Sequence, residues 1–165
     1  MDIAKSIDAL GAALLRSDPV VFHRISNDDD IWYATVDCRL TDEQMNLVNP
    51  AGFTLGRAYL NPSEYYPCII KNDRGVPVGF ICLNRWLGVG SATSWSYYIA
   101  KENQGKGYGT AAARLAISVL KTAFHDIPIK LATECANRKA QELYQKLGFA
   151  FEGEYDGDDM VFIYR

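Results

Sequence analysis

Three glycines at alternate positions, Gly105, Gly107 and Gly109, stand at the start of an apolar run with helical spacing. The start of a helix offers backbone N–H groups without partners inside the helix, together with the positive end of the helix dipole. Glycine has no side chain to keep an anion away from these groups. The spacing fits neither the dinucleotide-binding fingerprint nor the P-loop. The stretch therefore predicts an anion site of another kind, with a plain strand-to-helix turn as the alternative.

A second stretch, Glu134 to Phe149, places an amide and a phenol on one predicted helix. Apolar residues at helical spacing form a core-facing stripe, and Asn137 and Tyr144 share the adjoining stripe because seven residues are close to two turns. Gly148 is a natural end for this helix. A phenol in a dry pocket can supply a proton to a leaving group. Helix capping by Asn137 and simple ring packing of Tyr144 are the alternatives.

The elements that position these residues follow from hydrophobic periodicity and turn residues. The sequence predicts helices over about 2–16, 27–37, 107–124 and 137–147, with short helical pieces between 40 and 62. It predicts strands over 20–26, 93–100, 128–134, 149–155 and 159–165, a hairpin over 65–86 that turns at 72–75, and a turn around Gly88 and Gly90. A mostly antiparallel sheet with helices packed on it follows.

The two motifs, "QGKGYG" before a helix and "NRKAQELYQKLGF" after the next strand, together resemble the GNAT acetyltransferase superfamily in order and spacing. The resemblance covers about Val20 to Arg165. It implies an α+β fold of three layers, with a mixed, mostly antiparallel sheet of about six to seven strands and helices on both faces. The helix over 2–16 would be an addition to that core, and residues 1–165 would form a single acetyltransferase domain.

The resemblance also implies roles for individual residues. Backbone amides from Gln104 to Thr110 would wrap the pyrophosphate of acetyl-CoA; the residues are Gln104, Gly105, Lys106, Gly107, Tyr108, Gly109 and Thr110. The strand residues Tyr97, Tyr98 and Ile99 would offer backbone groups to the pantetheine arm, where their strand splays from its parallel neighbour. Asn137 would bind the arm near the thioester, and Tyr144 would be the general acid that protonates the leaving thiolate.

The acceptor and the general base are less well defined by the sequence. An amine arrives protonated, so a carboxylate, reached directly or through waters, must take a proton; Glu43 and Glu64 are the candidates. The front segment resembles the bacterial diamine and spermidine acetyltransferases at Glu43-Gln44, Thr54-Leu55, Ala58-Tyr59 and Val78-Gly79-Phe80, but Ser96 stands where that branch has an arginine. A small primary amine, with a di- or polyamine as one candidate, is the expected partner. An aminoglycoside, an amino acid or a protein N-terminus are alternatives, as is a CoA-binding module without turnover.

Composition narrows the class of protein. At 165 residues with 48% hydrophobic residues the chain can bury a core of its own, and it contains no apolar run of membrane-spanning length. The first residues lack the continuous apolar stretch of a secretory signal, so we expect a cytoplasmic protein. A net charge of −3 disfavours nucleic acid as a partner.

Cysteine spacing and the N-terminal stripe lead to three further expectations. The four cysteines are scattered without metal-ligand spacing, so we expect neither a zinc site nor disulfides, and each cysteine should be buried or half-buried. The apolar residues Ile3, Ile7, Leu10 and Leu14 must bury their stripe either on the chain's own sheet or in a dimer contact. Monomer and homodimer therefore both stay open.

Overall fold

The computed structural model describes residues 2–86 and 91–165 as an eight-stranded sheet with helices on both faces. The strands are β1 Arg16–Ser17, β2 Val20–Arg24, β3 Tyr65–Asn72, β4 Pro77–Trp86, β5 Ala92–Ile99, β6 Ile129–Glu134, β7 Ala150–Asp156 and β8 Asp159–Tyr164. The helices are α1 Ile3–Asp8, α2 Asp28–Trp32, α3 Asp42–Met45, α4 Ala51–Leu60, α5 Tyr108–Ala123 and α6 Arg138–Lys146. A π-helical segment, Tyr33–Asp37, extends α2.

The strand order is β1-β2-β3-β4-β5-β6-β8-β7, and every neighbouring pair is antiparallel except β5 and β6. The predicted α+β fold is thereby confirmed, with eight strands instead of six to seven. The additional strand is the two-residue β1, which pairs Ser17 with Val20. Sequence periodicity cannot reveal so short a strand, because alternation needs four or more residues to be recognised.

Two hydrophobic clusters form the core, one on each face of the sheet. The larger cluster joins α1, α5 and the inner face of the central strands; Ile7, Leu115 and Phe162 are among its most buried members. The smaller cluster joins the α2 and α4 region to Ile69 and Phe80. Because side chains alternate along a strand, Tyr97 packs against the larger cluster and Tyr98 against the smaller one.

The N-terminal segment differs from the predicted helix over 2–16. Helix α1 ends at Asp8, Gly11 adopts a positive φ of 79°, and a 3₁₀ turn over Ala12–Leu15 leads into β1. The left-handed glycine interrupts the helix although the apolar spacing continues. Ile3 and Ile7 are fully buried in the larger cluster and Leu10 packs against it, so this part of the stripe packs on the chain's own sheet, whereas Leu14 is 43% exposed.

Cys38, Cys68 and Cys82 are buried as expected, whereas Cys135 is exposed just after β6, so the expectation was wrong for that thiol. The predicted turn around Gly88 and Gly90 lies outside the described residues. Within the described ranges, every helix is too short or too polar to cross a bilayer.

Candidate functional site

An open cleft of about 660 Å³ lies where β5 and β6 separate. The two strands share a single bridge, between Thr93 and Ile129, and diverge toward their C-terminal ends. The walls come from β5, β6, α6, the loop before α5 and the segment 40–49. Seven of the predicted site residues line this cleft, and they are Tyr97, Tyr98, Ile99, Gln104, Gly109, Asn137 and Tyr144.

The backbone of β5 presents polar groups to the gap. The Ala100 N–H donates to the Val78 carbonyl on the β4 side, whereas the Thr93 N–H donates to the Pro128 carbonyl next to β6. Because backbone groups alternate sides along a strand, the N–H and C=O of Tyr97 and Ile99 point into the gap. The backbone N–H and C=O of Tyr98 point to β4, so Tyr98 reaches the cleft only with its side chain.

The glycine loop leads into the positive end of the 16-residue helix α5. The first bond of the helix runs from the Ala111 N–H to the Gly107 carbonyl, so the N–H groups of Tyr108, Gly109 and Thr110 have no acceptor within it. Gly105 and Gly107 adopt φ values of +74° and +83°. A Cβ at Gly107 would meet open space, so the backbone conformation, and not crowding by the protein, requires glycine there. This loop fits a bound phosphate anion.

Two glutamine side chains connect the glycine loop to α3. The Gln104 Nε2 donates to the Gln44 Oε1 and to the Ile99 carbonyl, each at 2.9 Å, and the Gln44 Nε2 donates back to the Gln104 Oε1 at 3.2 Å. Gln44 also completes a capping box with Thr41 at the start of α3. The predicted loop residue Lys106 is held locally, since its Nζ donates to the Glu102 carbonyl at 2.8 Å.

Tyr144 lies deep in the cleft with its ring against aromatic neighbours. The ring centroids of Phe149 and Phe162 are 5.8 and 5.7 Å away. Burial raises the pKa of Tyr144 to about 12. Burial, and then the proximity of Tyr144, also raise the pKa of Tyr97. Both phenols therefore remain protonated at neutral pH and can donate a proton or a hydrogen bond.

Asn137 caps α6, because its Oδ1 accepts a hydrogen bond from the Ala140 N–H at 3.2 Å. Helix capping, the alternative role predicted for Asn137 from the sequence, is thus confirmed for its side-chain oxygen. The same side chain lines the cleft, and its amide Nδ2 is a donor that the cap does not use. A contact between Nδ2 and a ligand stays a prediction.

Other predicted residues lie away from the cleft walls. Glu43 is exposed on α3, and Glu64 lies in the turn just before β3, where its carbonyl accepts from the Arg85 N–H. The carboxylates that do line the cleft are Glu134 and Asp159, which are paired across β6 and β8. Sequence reasoning missed these two, since only the register of β6 and β8 brings them together.

The wall also contains a buried donor, Trp95, which is 6% exposed. Its Nε1 has no hydrogen-bond partner among the described residues. The ring lies edge-on to Phe149, with centroids 5.8 Å apart. Nothing in the spacing of the sequence distinguished this tryptophan from an ordinary core residue.

Comparison with known proteins gives one family. A sequence model of the acetyltransferase (GNAT) family matches residues 28–149, more than half of the chain. Spermidine N(1)-acetyltransferase of Escherichia coli strain K12 is 43% identical over 56 residues, which are 34% of this chain and 30% of that protein. The matched part thus spans less than a third of the relative's length.

Solved structures share the fold at low identity. An acetyltransferase from Agrobacterium tumefaciens has a TM-score of 0.68 at 15% identity and covers 92% of this chain and 93% of its own. Spermidine N-acetyltransferase from Vibrio cholerae, in complex with CoA and spermine, has a TM-score of 0.66 at 16% identity, covering 89% and 94%. Ribosomal-protein-S5-alanine acetyltransferase from Vibrio fischeri has a TM-score of 0.67 at 17% identity, covering 90% and 94%.

Proposed function

The chain belongs to the GNAT acetyltransferase family, and we propose that it transfers the acetyl group of acetyl-CoA to a primary amine of a small molecule. The observation that carries the proposal is the cleft between β5 and β6, which combines a helix start with unpartnered N–H groups, strand backbone groups and a half-buried phenol. In this proposal residues 1–165 act as one catalytic domain. The amine attacks the thioester directly, without an acetylated enzyme.

Different residues of the cleft bind different parts of acetyl-CoA. The N–H groups from Gly105 to Thr110 hold the pyrophosphate, where the α5 dipole favours negative charge. The Tyr97 backbone groups and the Ile99 N–H, which have no β6 ladder partner, hold the pantetheine amides, whereas the Ile99 carbonyl already accepts from the Gln104 Nε2. The amide Nδ2 of Asn137 donates to the arm near its reactive end.

Tyr144 supplies the proton that the reaction needs. Acetyl-CoA brings an acetyl group activated as a thioester; the amine nitrogen forms the new bond to its carbonyl carbon while the carbon–sulfur bond breaks. The Tyr144 O–H protonates the sulfur as the bond breaks, and the resulting phenolate takes up the proton that the new amide nitrogen releases. An N–H from Tyr97 or Ile99 stabilises negative charge on the carbonyl oxygen. The proton of the ammonium leaves to a carboxylate: Glu134 and Asp159 line the cleft, whereas Glu43 and Glu64 would act only through waters.

A di- or polyamine acceptor is one candidate, and the 56-residue similarity to spermidine N(1)-acetyltransferase supports it. Three consecutive aspartates of the front segment, Asp28, Asp29 and Asp30, could attract a polyamine, but they support it less because they have structural roles at the start of α2. The Oδ2 of Asp30 accepts from the Ser26 N–H at 3.1 Å and lies 3.4 Å from the His23 Nε2. Asp28 and Asp29 occupy the first turn of α2, where carboxylates are favourable.

Thiol release from acetyl-CoA tests the proposal. The amines are spermidine, spermine, putrescine, an aminoglycoside, free amino acids and short peptides, and acetyl-CoA affinity is measured by calorimetry on the same protein. We expect thiol release with at least one amine class. Acetyl-CoA binding without release across the panel would instead favour the second candidate, a CoA-binding module without turnover.

A further inference from the structure

A second cleft, of about 630 Å³, lies on the other face of β5 from Tyr144. Its walls come from the π-helical segment after α2, from α3, from the start of α4 and from Lys101. It meets the first cleft at three residues that line both, namely Leu40, Val48 and Tyr98. Among the described residues β5 and β6 share no bridge beyond Thr93, so no ladder hydrogen bonds close the gap between the strands at this junction.

The floor of the second cleft is apolar. Ala34, Cys38 and Ala51 are buried there beside the ring of Tyr98. Cys38 adds no charge, because burial raises the pKa of its thiol to about 11. Met45 lies on the wall with 60% of its surface exposed, and the neighbouring helices expose Trp32 and Phe53. An apolar floor beneath an exposed apolar side chain is typical of a ligand pocket.

The charged side chains that line the second cleft are two cations and one carboxylate, namely Arg39, Lys101 and Asp42; a second carboxylate, Glu102, lies outside the lining but near enough to help raise the pKa of Cys38 at the floor. The backbones of the two cationic residues are adjacent, since the Lys101 N–H donates to the Arg39 carbonyl at 2.8 Å, and both side chains line the cleft. The Arg39 Nε donates to the Val36 carbonyl at 3.1 Å, which anchors the side chain at the cleft and leaves its other N–H groups available. Within residues 2–86 and 91–165, neither cation forms a salt bridge.

We propose that the second cleft binds the acceptor, and that this acceptor is a primary amine on an apolar body that also bears a carboxylate, which Arg39 and Lys101 bind. The inference rests on the proposed acetyl transfer and specifies its substrate class. Within the lining, two cations against a single carboxylate attract an anion and repel a second ammonium. A polyamine, which carries only positive charge, is the wrong complement for this cleft.

Two sets of matched amines separate these acceptors. The aromatic set is para-aminomethylbenzoate, benzylamine and para-xylylenediamine, and the aliphatic set is ε-aminocaproate, hexylamine and hexamethylenediamine. Within each set the reacting amine and the apolar body are kept, while the far end is anionic, neutral or cationic. We expect kcat/KM for the anionic member to exceed that for the cationic member by about tenfold or more, the scale of a charge-assisted contact at a partly exposed site.

Substitution of Arg39 and Lys101 tests whether these two cations cause the preference for the anionic acceptor. Arg39→Gln and Lys101→Gln together should bring the anionic-to-cationic ratio close to one, and Arg39→Glu with Lys101→Glu should invert it. Acetyl-CoA affinity checks that the first cleft is intact in each variant. Arg74→Gln, in the exposed β3–β4 turn, is the matched control and should keep the wild-type ratio.

The outcomes distinguish this inference from the proposed function. Faster turnover of the diamines than of the carboxylated amines in the wild type would overturn the inference and leave acetyl transfer standing. An unchanged preference in the double glutamine variant would overturn it too. Thiol release with none of the amines would overturn the proposed function; binding of para-aminomethylbenzoate to the CoA-bound protein would then still support the second cleft as an anion site, and absence of binding would overturn it.

Discussion

At the scale of single residues, the phenol of Tyr144 is buried against aromatic rings yet faces the cleft. Tyr144→Phe keeps this packing and removes only the O–H. We expect turnover to fall by about 10²-fold, the usual effect of losing a general acid, with acetyl-CoA affinity nearly unchanged. Steady-state thiol release and calorimetry measure the two quantities. Tyr155→Phe, at an exposed tyrosine of β7, is the control, and wild-type turnover in Tyr144→Phe would remove Tyr144 from the mechanism.

Gly107 supplies a second prediction at this scale. Valine at a φ of +83° is strained, and its side chain would occupy the space that the loop leaves for phosphate. We expect Gly107→Val to abolish acetyl-CoA binding in calorimetry.

The matched control for this change is Gly75→Val. Gly75 has a φ of +79° and equally open surroundings, but it lies in the β3–β4 turn. Both variants should lose comparable stability through backbone strain. Only Gly107→Val should lose the ligand, and equal affinity in the two variants would show that the glycine loop does not bind phosphate.

At the scale of elements, Asn137 has two separable tasks, capping α6 and contacting acetyl-CoA. Asn137→Ser keeps a capping oxygen and removes the amide donor, whereas Asn137→Ala removes both. We expect the alanine variant to lose about 1 kcal/mol of unfolding free energy and the serine variant to lose little. Both should bind acetyl-CoA more weakly. Wild-type acetyl-CoA affinity in Asn137→Ser would show that Asn137 caps α6 and does not contact acetyl-CoA.

Elements with long, regular patterns were predictable from the sequence. Helix α5 and strands β3 to β6 lie within a few residues of their predicted bounds, because apolar periodicity and turn residues specify them locally. The end of α1 was not predictable. Leu10 and Leu14 continue the helical spacing, but α1 ends at Asp8, and Gly11, which lies between the two leucines, has a positive φ that keeps the helix from continuing.

The glycine loop and the Asn137–Tyr144 helix could be recognised because each is contiguous in sequence. The second cleft could not be recognised, because its walls depend on contacts between distant segments. Gln44 and Gln104, 60 residues apart, hold α3 beside the glycine loop. Arg39 and Lys101 become neighbours through one backbone hydrogen bond. Residue spacing carries no information about such pairs.

At the scale of the whole molecule, buried thiols and phenols link stability to pH. Burial raises the pKa of Cys38 to about 11 and those of Cys82 and Tyr144 to about 12. Unfolded thiols and phenols lose their protons near roughly pH 8.5 and 10. In the alkaline range the folded state therefore holds more protons than the unfolded state. The free energy of unfolding keeps its full value below the unfolded-state pKa values and falls as pH rises above them.

Urea denaturation at a series of pH values measures this linkage. We expect the free energy of unfolding to be constant from neutral pH to about 8.5 and then to decrease, at up to about 1.4 kcal/mol per pH unit for each proton involved. Cys82→Val removes one of these groups and should make the decrease shallower. A free energy that stays level up to about pH 11 would contradict the burial of these groups.

Transfer of an isotopically labelled acetyl group from acetyl-CoA to an amine tests the central claim most directly. The wild type, Tyr144→Phe and Gly107→Val are incubated with the best acceptor of the panel, and label is counted in the amine and in the protein. We predict label in the amine with the wild type, a large reduction with both variants, and none covalently bound to the protein. Label retained on the protein, or equal transfer by all three, would contradict direct acetyl transfer in the cleft between β5 and β6.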